Sequence, residues 1–310
     1  MEVFKFGGAS VRDAASVKNV LSVLQKTGYK DKVIVVSAMG KMTNAFEIVI
    51  TEYLQTRKAP LELLSELKEF HLEIARGLFE STSAPVFKMI DELFKELINF
   101  MDHNKSIQYD FVYDQIVCYG ELVSSKILSE YLKSQSIEHS WMDARKLIKT
   151  DSIYRDATIN WEETQQNISG RLKPGELYLT QGFIASDANN FSTTLGREGS
   201  DYTAAILAYC LNAEKVIIWK DVPGVLNADP RVFENPQLLN QISLIFSSTI
   251  NEKSREEREM STWFFLTMKQ GIAGIKVWPL LTEVPAPSGS IKDFTNNGIS
   301  LRCKGCNVLG

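Results

Sequence analysis

Residues 2–10 read EVFKFGGAS, and this stretch decides the fold. A short alternating run, Glu2 to Phe6, passes straight into Gly7-Gly8, and apolar residues then recur at helical spacing from Val11 to Leu24. Strand, glycine turn and helix form the basic unit of an α/β layer. The unit repeats at once: KVIVVS, Lys32 to Ser37, is a continuous β-branched run of the kind buried on both faces of a parallel sheet. A glycine-containing loop over 38–43 and a further helical pattern follow it.

Further out, the pattern from Pro60 to Gln135 is almost wholly helical, with Pro85 opening one helix and Ser106 capping the next. A helical block of that length reads as an insertion on one side of the sheet. Strands resume near 139–142, at LYLTQGF (177–183) and at KVIIW (215–219), the last two separated by a helix starting near Ser200. There is no internal repeat and no low-complexity linker. The expected architecture is α/β, a three-layer αβα sandwich around a mostly parallel open sheet. One domain over 1–310 carries two lobes, an N-terminal one to about 175 and a C-terminal one from about 176. Ligands are expected where the lobes meet, at the carboxyl ends of the strands.

Composition narrows the function by exclusion. With 44% hydrophobic and 23% charged residues, the chain sits among ordinary globular proteins. Its net charge of -4 gives no field that would draw it to nucleic acid or an anionic membrane. The start turns polar and glycine-rich too early for a secretory signal, and no apolar run approaches the ~18 residues of a membrane span, so a cytoplasmic location is expected. Of the four cysteines, Cys118 and Cys210 fall inside apolar helical patterns as small core residues. Cys303 and Cys306 form a CxxC without a second pair or a nearby histidine, so no metal site is expected.

Three constellations suit phosphoryl transfer, which needs charge neutralisation and positioning rather than covalent help. In the first, Gly7 and Gly8 let the backbone approach an anion at a helix start, and Lys5 points from the strand end at the same spot. Taken alone, these residues also read as a plain tight turn beside a solvated lysine. In the second, TTLGREGSDYT (193–203), Gly196 and Gly199 bracket Arg197, Ser200 is a good N-cap, and Asp201 lies in the first helical turn. Arg197 suits a carboxylate, and Asp201 suits an orienter of Lys5. In the third, WKDVPGVLNADPR (219–231), a strand delivers Asp221 into a Pro-Gly turn, with Lys220 and Arg231 placed for nucleotide phosphates. None of the three has the spacing of a P-loop or of the glycine-rich loop of protein kinases.

In this order the constellations resemble the amino-acid kinase superfamily, and two of them resemble its aspartokinase branch. KFGGAS is close to that branch's KFGGTS signature, VSAMGKMTN (36–44) to its serine- and threonine-containing loop, and YGELVSSKIL (119–128) to the helix that carries a glutamate. The similarity runs from Glu2 to about Ser243. It implies the amino-acid kinase fold and transfer of a phosphoryl group from ATP, with Mg2+ carried on the nucleotide, to the side-chain carboxylate of L-aspartate. That product feeds lysine, threonine and methionine biosynthesis.

Residue by residue, the resemblance implies that Lys5 neutralises the transferring group and that Asp201 holds it. Ser37, Thr43, Glu121, Arg197 and Ser200 would bind aspartate, Glu121 accepting from the α-ammonium and Arg197 taking a carboxylate. Gly7, Gly8, Ser10, Lys220, Asp221 and Arg231 would hold the nucleotide. Small-molecule substrates are the expected partners, without nucleic acid or membrane, and a homo-oligomer is compatible with the sequence.

Several positions depart from the branch's pattern. Ala9 stands where threonine is usual, Glu198 replaces a glycine, Lys220 replaces a small polar residue, and Leu226 falls where an aromatic is common. After Ser243 the GAKVLHPRT-like segment is missing, so 245–310 reads as atypical, and no ACT domains are expected. The alternatives are a sister kinase acting on acetylglutamate or glutamate, and a catalytically weak nucleotide-binding fragment.

Overall fold

In a computed structural model of the chain, residues 1–196 and 198–220, together with Asn235 and Gln237, are described in full, as is the backbone of strand segments 243–244, 275–277 and 299–303. The first strands are β1 (Glu2–Phe6) and β2 (Lys32–Val36), linked by a 3-10 turn (Gly8–Val11) and α1 (Ala14–Thr27). Asp13 caps α1 by accepting the Ser16 N–H at 2.7 Å, so the helix starts three residues later than the apolar pattern suggests. Helices α2 (Met42–Thr56), α3 (Leu61–Leu78), α4 (Pro85–His103) and α5 (Tyr109–Ser134) form the predicted helical block. Pro85 opens α4 at its first turn.

Ser106 does not cap α5. Asn104 accepts the Ser106 N–H at 2.9 Å and draws 104–106 into a separate turn, and the helix begins after Gln108. The chain continues through β3 (Ser140–Met142), α6 (Trp161–Arg171) and β4 (Leu177–Gln181). It then makes a hairpin of β5 (Ile184–Ser186) and β6 (Ser192–Thr194), followed by α7 (Gly199–Cys210) and β7 (Lys215–Trp219). The hairpin was not legible in the apolar pattern because two three-residue strands are too short to show a period, and α6 was not because its buried residues are only Thr164 and Ile168.

Five strands lie parallel in the order β3-β4-β2-β1-β7. The segments β8 (Ser243–Leu244), β9 (Ile275–Val277) and β10 (Ile299–Cys303) extend the sheet beyond β7 by antiparallel pairing. Alternation along the strands builds the layers. Phe4, Phe6, Ile34, Val36, Leu177 and Leu179 pack into one core with α1–α5, while Val3, Val33, Val35 and Tyr178 pack into a second core with α6 and α7. Both faces are therefore covered, giving the three-layer αβα arrangement, and Lys5 shares the parity of the strand residues that face α7. Cys118 and Cys210 are buried free thiols. Among the described residues, no helix is long and apolar enough to cross a membrane.

Candidate active site

A cleft of about 610 Å³ opens at the carboxyl ends of β1 and β2. Its floor is the glycine turn after β1. A Cβ on Gly8 would come within 2.7 Å of the Gly40 carbonyl oxygen and 2.9 Å of that of Ala38, so only glycine lets the two loops meet here. The contact is sealed by the Gly40 N–H, which donates to the Gly8 carbonyl at 3.0 Å. Helical starts converge on the same space: Gly8, Ala9 and Ser10 from the 3-10 turn, Thr43 and Asn44 from α2, and Gly199 and Ser200 from α7 all line the cleft. The positive ends of α2 and α7 favour anions there.

Lys5 reaches this space from β1, and its ammonium is 2.6 Å from Asp201 Oδ1 on α7. Both residues are almost fully buried, at 5% and 2% exposure, so each charge depends on the other for its solvation. A Cβ on Gly7 would lie 3.4 Å from Lys5 Nζ, which sets the ammonium against the glycine backbone. Lys220, at the end of β7, puts its ammonium 3.3 Å from Asp201 Oδ2. Two lysines thus share one buried carboxylate at the glycine turn, and the sequence had not indicated the second contact.

The residues expected on the substrate side also gather here. Ser37, Thr43, Glu121 and Ser200 all line the cleft. Glu121 is 2% exposed and accepts the Ala38 N–H at 3.3 Å, while its Oε2 has no partner among the described residues. Burial pushes its carboxyl up to about 8. A group so placed can take a cation from a ligand and gain by it.

Ser200 is not the N-cap of α7. Glu198 holds that position with φ 60°, and the Asp201 N–H donates to the Glu198 carbonyl at 2.9 Å. Ser200 packs instead against Gly182, where an added Cβ would lie 2.5 Å from that of the serine. Arg197, Asp221 and Arg231 lie outside the described residues, as do Leu226 and Cys306.

Apolar periodicity did not point to Glu47, Tyr113, Arg155 or Phe183, yet all four line the cleft. Glu47 stands one helical turn beyond Thr43, and that i, i+4 spacing was the available signal. Tyr113 and Glu121 are eight residues apart on α5. Among the described residues, no group of three or more His, Cys, Asp or Glu is arranged to hold a metal ion.

The lysine-sensitive aspartokinase 3 of Escherichia coli K12 is 29% identical over 310 residues, covering 99% of this chain and 63% of that protein. The chloroplastic bifunctional aspartokinase/homoserine dehydrogenase 2 of Arabidopsis thaliana is 31% identical over 249 residues, covering 78% of this chain and 27% of that protein. Among solved structures, E. coli aspartokinase III in complex with lysine and aspartate (T-state) superposes with a TM-score of 0.67 at 29% identity, covering 77% of this chain and 54% of that one. The same enzyme with aspartate and ADP (R-state) gives 0.66 at 28% identity, covering 77% and 53%. The chain therefore spans less than two thirds of the length of these relatives. Residues 1–252 match the amino acid kinase family as a whole, and with a parallel sheet and glycine-floored cleft of the expected kind, the chain belongs to the amino acid kinase family.

Proposed function

We propose that the chain is the catalytic domain of an aspartokinase, which transfers the terminal phosphoryl group of ATP to the side-chain carboxylate of L-aspartate, the first step toward lysine, threonine and methionine. The observation that carries the reading is the buried Lys5–Asp201 pair, 2.6 Å apart, set against the Gly7-Gly8 turn in a cleft that also holds Glu121. Support comes from the aspartokinase relatives, including solved structures of one with aspartate and with ADP bound.

In this reading, negative charge spreads over the transferring group's oxygens, and Lys5 neutralises it at fixed geometry because Asp201 holds the ammonium in place. Lys220 supplies a second cation on the nucleotide side. Gly7, Gly8 and Ser10 form the turn against which the nucleotide phosphates lie, and Asp221 and Arg231 would complete the nucleotide site. Ser37, Thr43, Ser200 and Arg197 orient aspartate, and Glu121 receives its ammonium. Magnesium arrives on the nucleotide and supplies charge neutralisation there. We read the chain as one kinase domain, with a substrate side built by α2 and α5 and a nucleotide side built by the glycine turn, α7 and β7.

The test is an ATP-consumption assay with L-aspartate, L-glutamate, acetylglutamate and UMP in parallel. Turnover with aspartate alone is expected, and preference for another acceptor would overturn the assignment.

A further inference from the structure

Among the described residues, nine other than glycine occupy the left-handed backbone region. Four of them are Asn or Asp, which tolerate it, and Arg57 and Ser136 close the C-terminal ends of α2 and α5, where it is ordinary. The remaining three are Arg155 (φ 70°), Phe183 (φ 70°) and Glu198 (φ 60°), and all three line the cleft. Such conformations persist only where the surroundings enforce them. Phe183 packs against Gly199, and Glu198 starts α7. Arg155 has neither role.

Arg155 is fixed at both ends. Its backbone N–H donates to Asp114 Oδ2 at 2.9 Å, and this fully buried carboxylate also accepts the Thr194 N–H at 2.9 Å and hydroxyl at 2.7 Å. Its guanidinium lies 4.7 Å from the centre of the Tyr113 ring and 5.2 Å from that of Tyr109, and Nη1 donates to Asp110 at 3.3 Å. The Tyr113 hydroxyl donates to Glu47 at 3.1 Å, which keeps that ring from turning. A side chain 47% exposed would ordinarily sample many rotamers, whereas this one is stacked and tethered at the edge of the cleft.

We propose that Arg155 is a specificity-determining residue, a fixed cation on the α2–α5 side of the cleft that receives a carboxylate of the incoming amino-acid substrate. The inference rests on the kinase reading of this cleft. Arg155 stands with Glu47 and Asp110, so its corner carries both signs. That suits a zwitterionic amino acid and disfavours a polyphosphate. Guanidinium donors pair with a planar carboxylate in a way a lysine does not match.

The experiment compares wild type, R155A and R155K by steady-state kinetics and by calorimetric binding of L-aspartate, L-glutamate and acetylglutamate. R155A should raise the Kd and KM of the amino acid by about 10- to 100-fold, the loss of one charge-assisted contact. Its kcat and its KM for ATP should stay within about threefold, and R155K should recover only part of the loss. Y113F, which removes the tether to Glu47 and keeps the ring, should shift the amino-acid KM in the same direction by less. An amino-acid Kd in R155A equal to that of wild type, or a rise in the ATP KM instead, would overturn the role of Arg155 alone. A wild type that binds none of the three acids would overturn the kinase reading and this inference with it.

Discussion

Two buried ionisable groups with an orphaned atom mean different things in different parts of this molecule. His71 lies fully buried in α3 between Phe70 and Phe94, with its Nδ1–H donating to the Leu67 carbonyl at 2.7 Å and no partner for Nε2 among the described residues. Glu121 is equally buried on α5, with Oε2 unpartnered among the described residues, but it lines the cleft. Desolvation drives both toward neutrality, His71 down to about 4 and Glu121 up to about 8. The histidine is enclosed by packed side chains, so its cost falls on stability. The glutamate faces a space large enough for a ligand, so its cost can be recovered on binding.

The largest effect should come from the cleft. Lys5→Met is expected to lower kcat by about 10³-fold while leaving ATP affinity within about tenfold, because in the proposed reaction the lysine acts on charge that develops during transfer. Asp201 then keeps only Lys220, at Oδ2, so the melting temperature should fall as well. Wild-type-like turnover in steady-state assays would remove Lys5 from the chemistry.

Glu121→Gln comes next and tests the binding half of the contrast. It should raise the aspartate KM by roughly 10- to 100-fold, as expected when an ammonium loses a charged partner. The pH dependence has a definite sign. In the free protein Glu121 holds its proton up to about 8, against 4.5 for an ordinary glutamate, so the folded state binds more protons across that window. Stability therefore falls as pH rises between those values, and glutamine, which cannot ionise, should flatten the decline. Aspartate affinity should run the other way in wild type, rising with pH toward 8 as the carboxylate forms. Identical pH profiles in wild type and variant would show that Glu121 does not meet the ammonium.

The smallest effect belongs to the closed layer. Folded His71 resists protonation down to about 4, whereas the unfolded residue protonates near 6.5, so stability is lost as pH falls through that window. His71→Leu should restore about 1 kcal/mol near pH 5, by the usual scale for a lost buried polar group, with no change in aspartate KM. Thermal melts at pH 5 and 8 check the first part. A shift in KM would mean that the helical block communicates with the cleft and would dissolve the contrast.

How much of this was readable beforehand depends on range. Lys5 and Asp201 were legible because a strand end and a helix start are local patterns, and the parity of β1 turns Lys5 toward α7. The cap assignments at Ser106 and Ser200 failed because each serine had a competing partner, Asn104 in one case and Gly182 in the other. Glu47, Tyr113 and Arg155 carried little signal, since a glutamate on a helix, a tyrosine in an apolar run and an arginine in a loop are commonplace until their neighbours are known.

The sequence by itself determined the α/β layering, the glycine turn after β1 and the helical block, and it put Lys5 at a strand end and Asp201 at a helix start, because hydrophobic period and glycine placement act over a few residues. Only the tertiary structure decided that Lys220 shares Asp201, that Asp114 holds Arg155 in a left-handed conformation, and that Glu47 tethers Tyr113. Those contacts join residues 19, 41 and 66 positions apart. Their energy comes from burial and geometry that exist only once the sheet has brought the segments together.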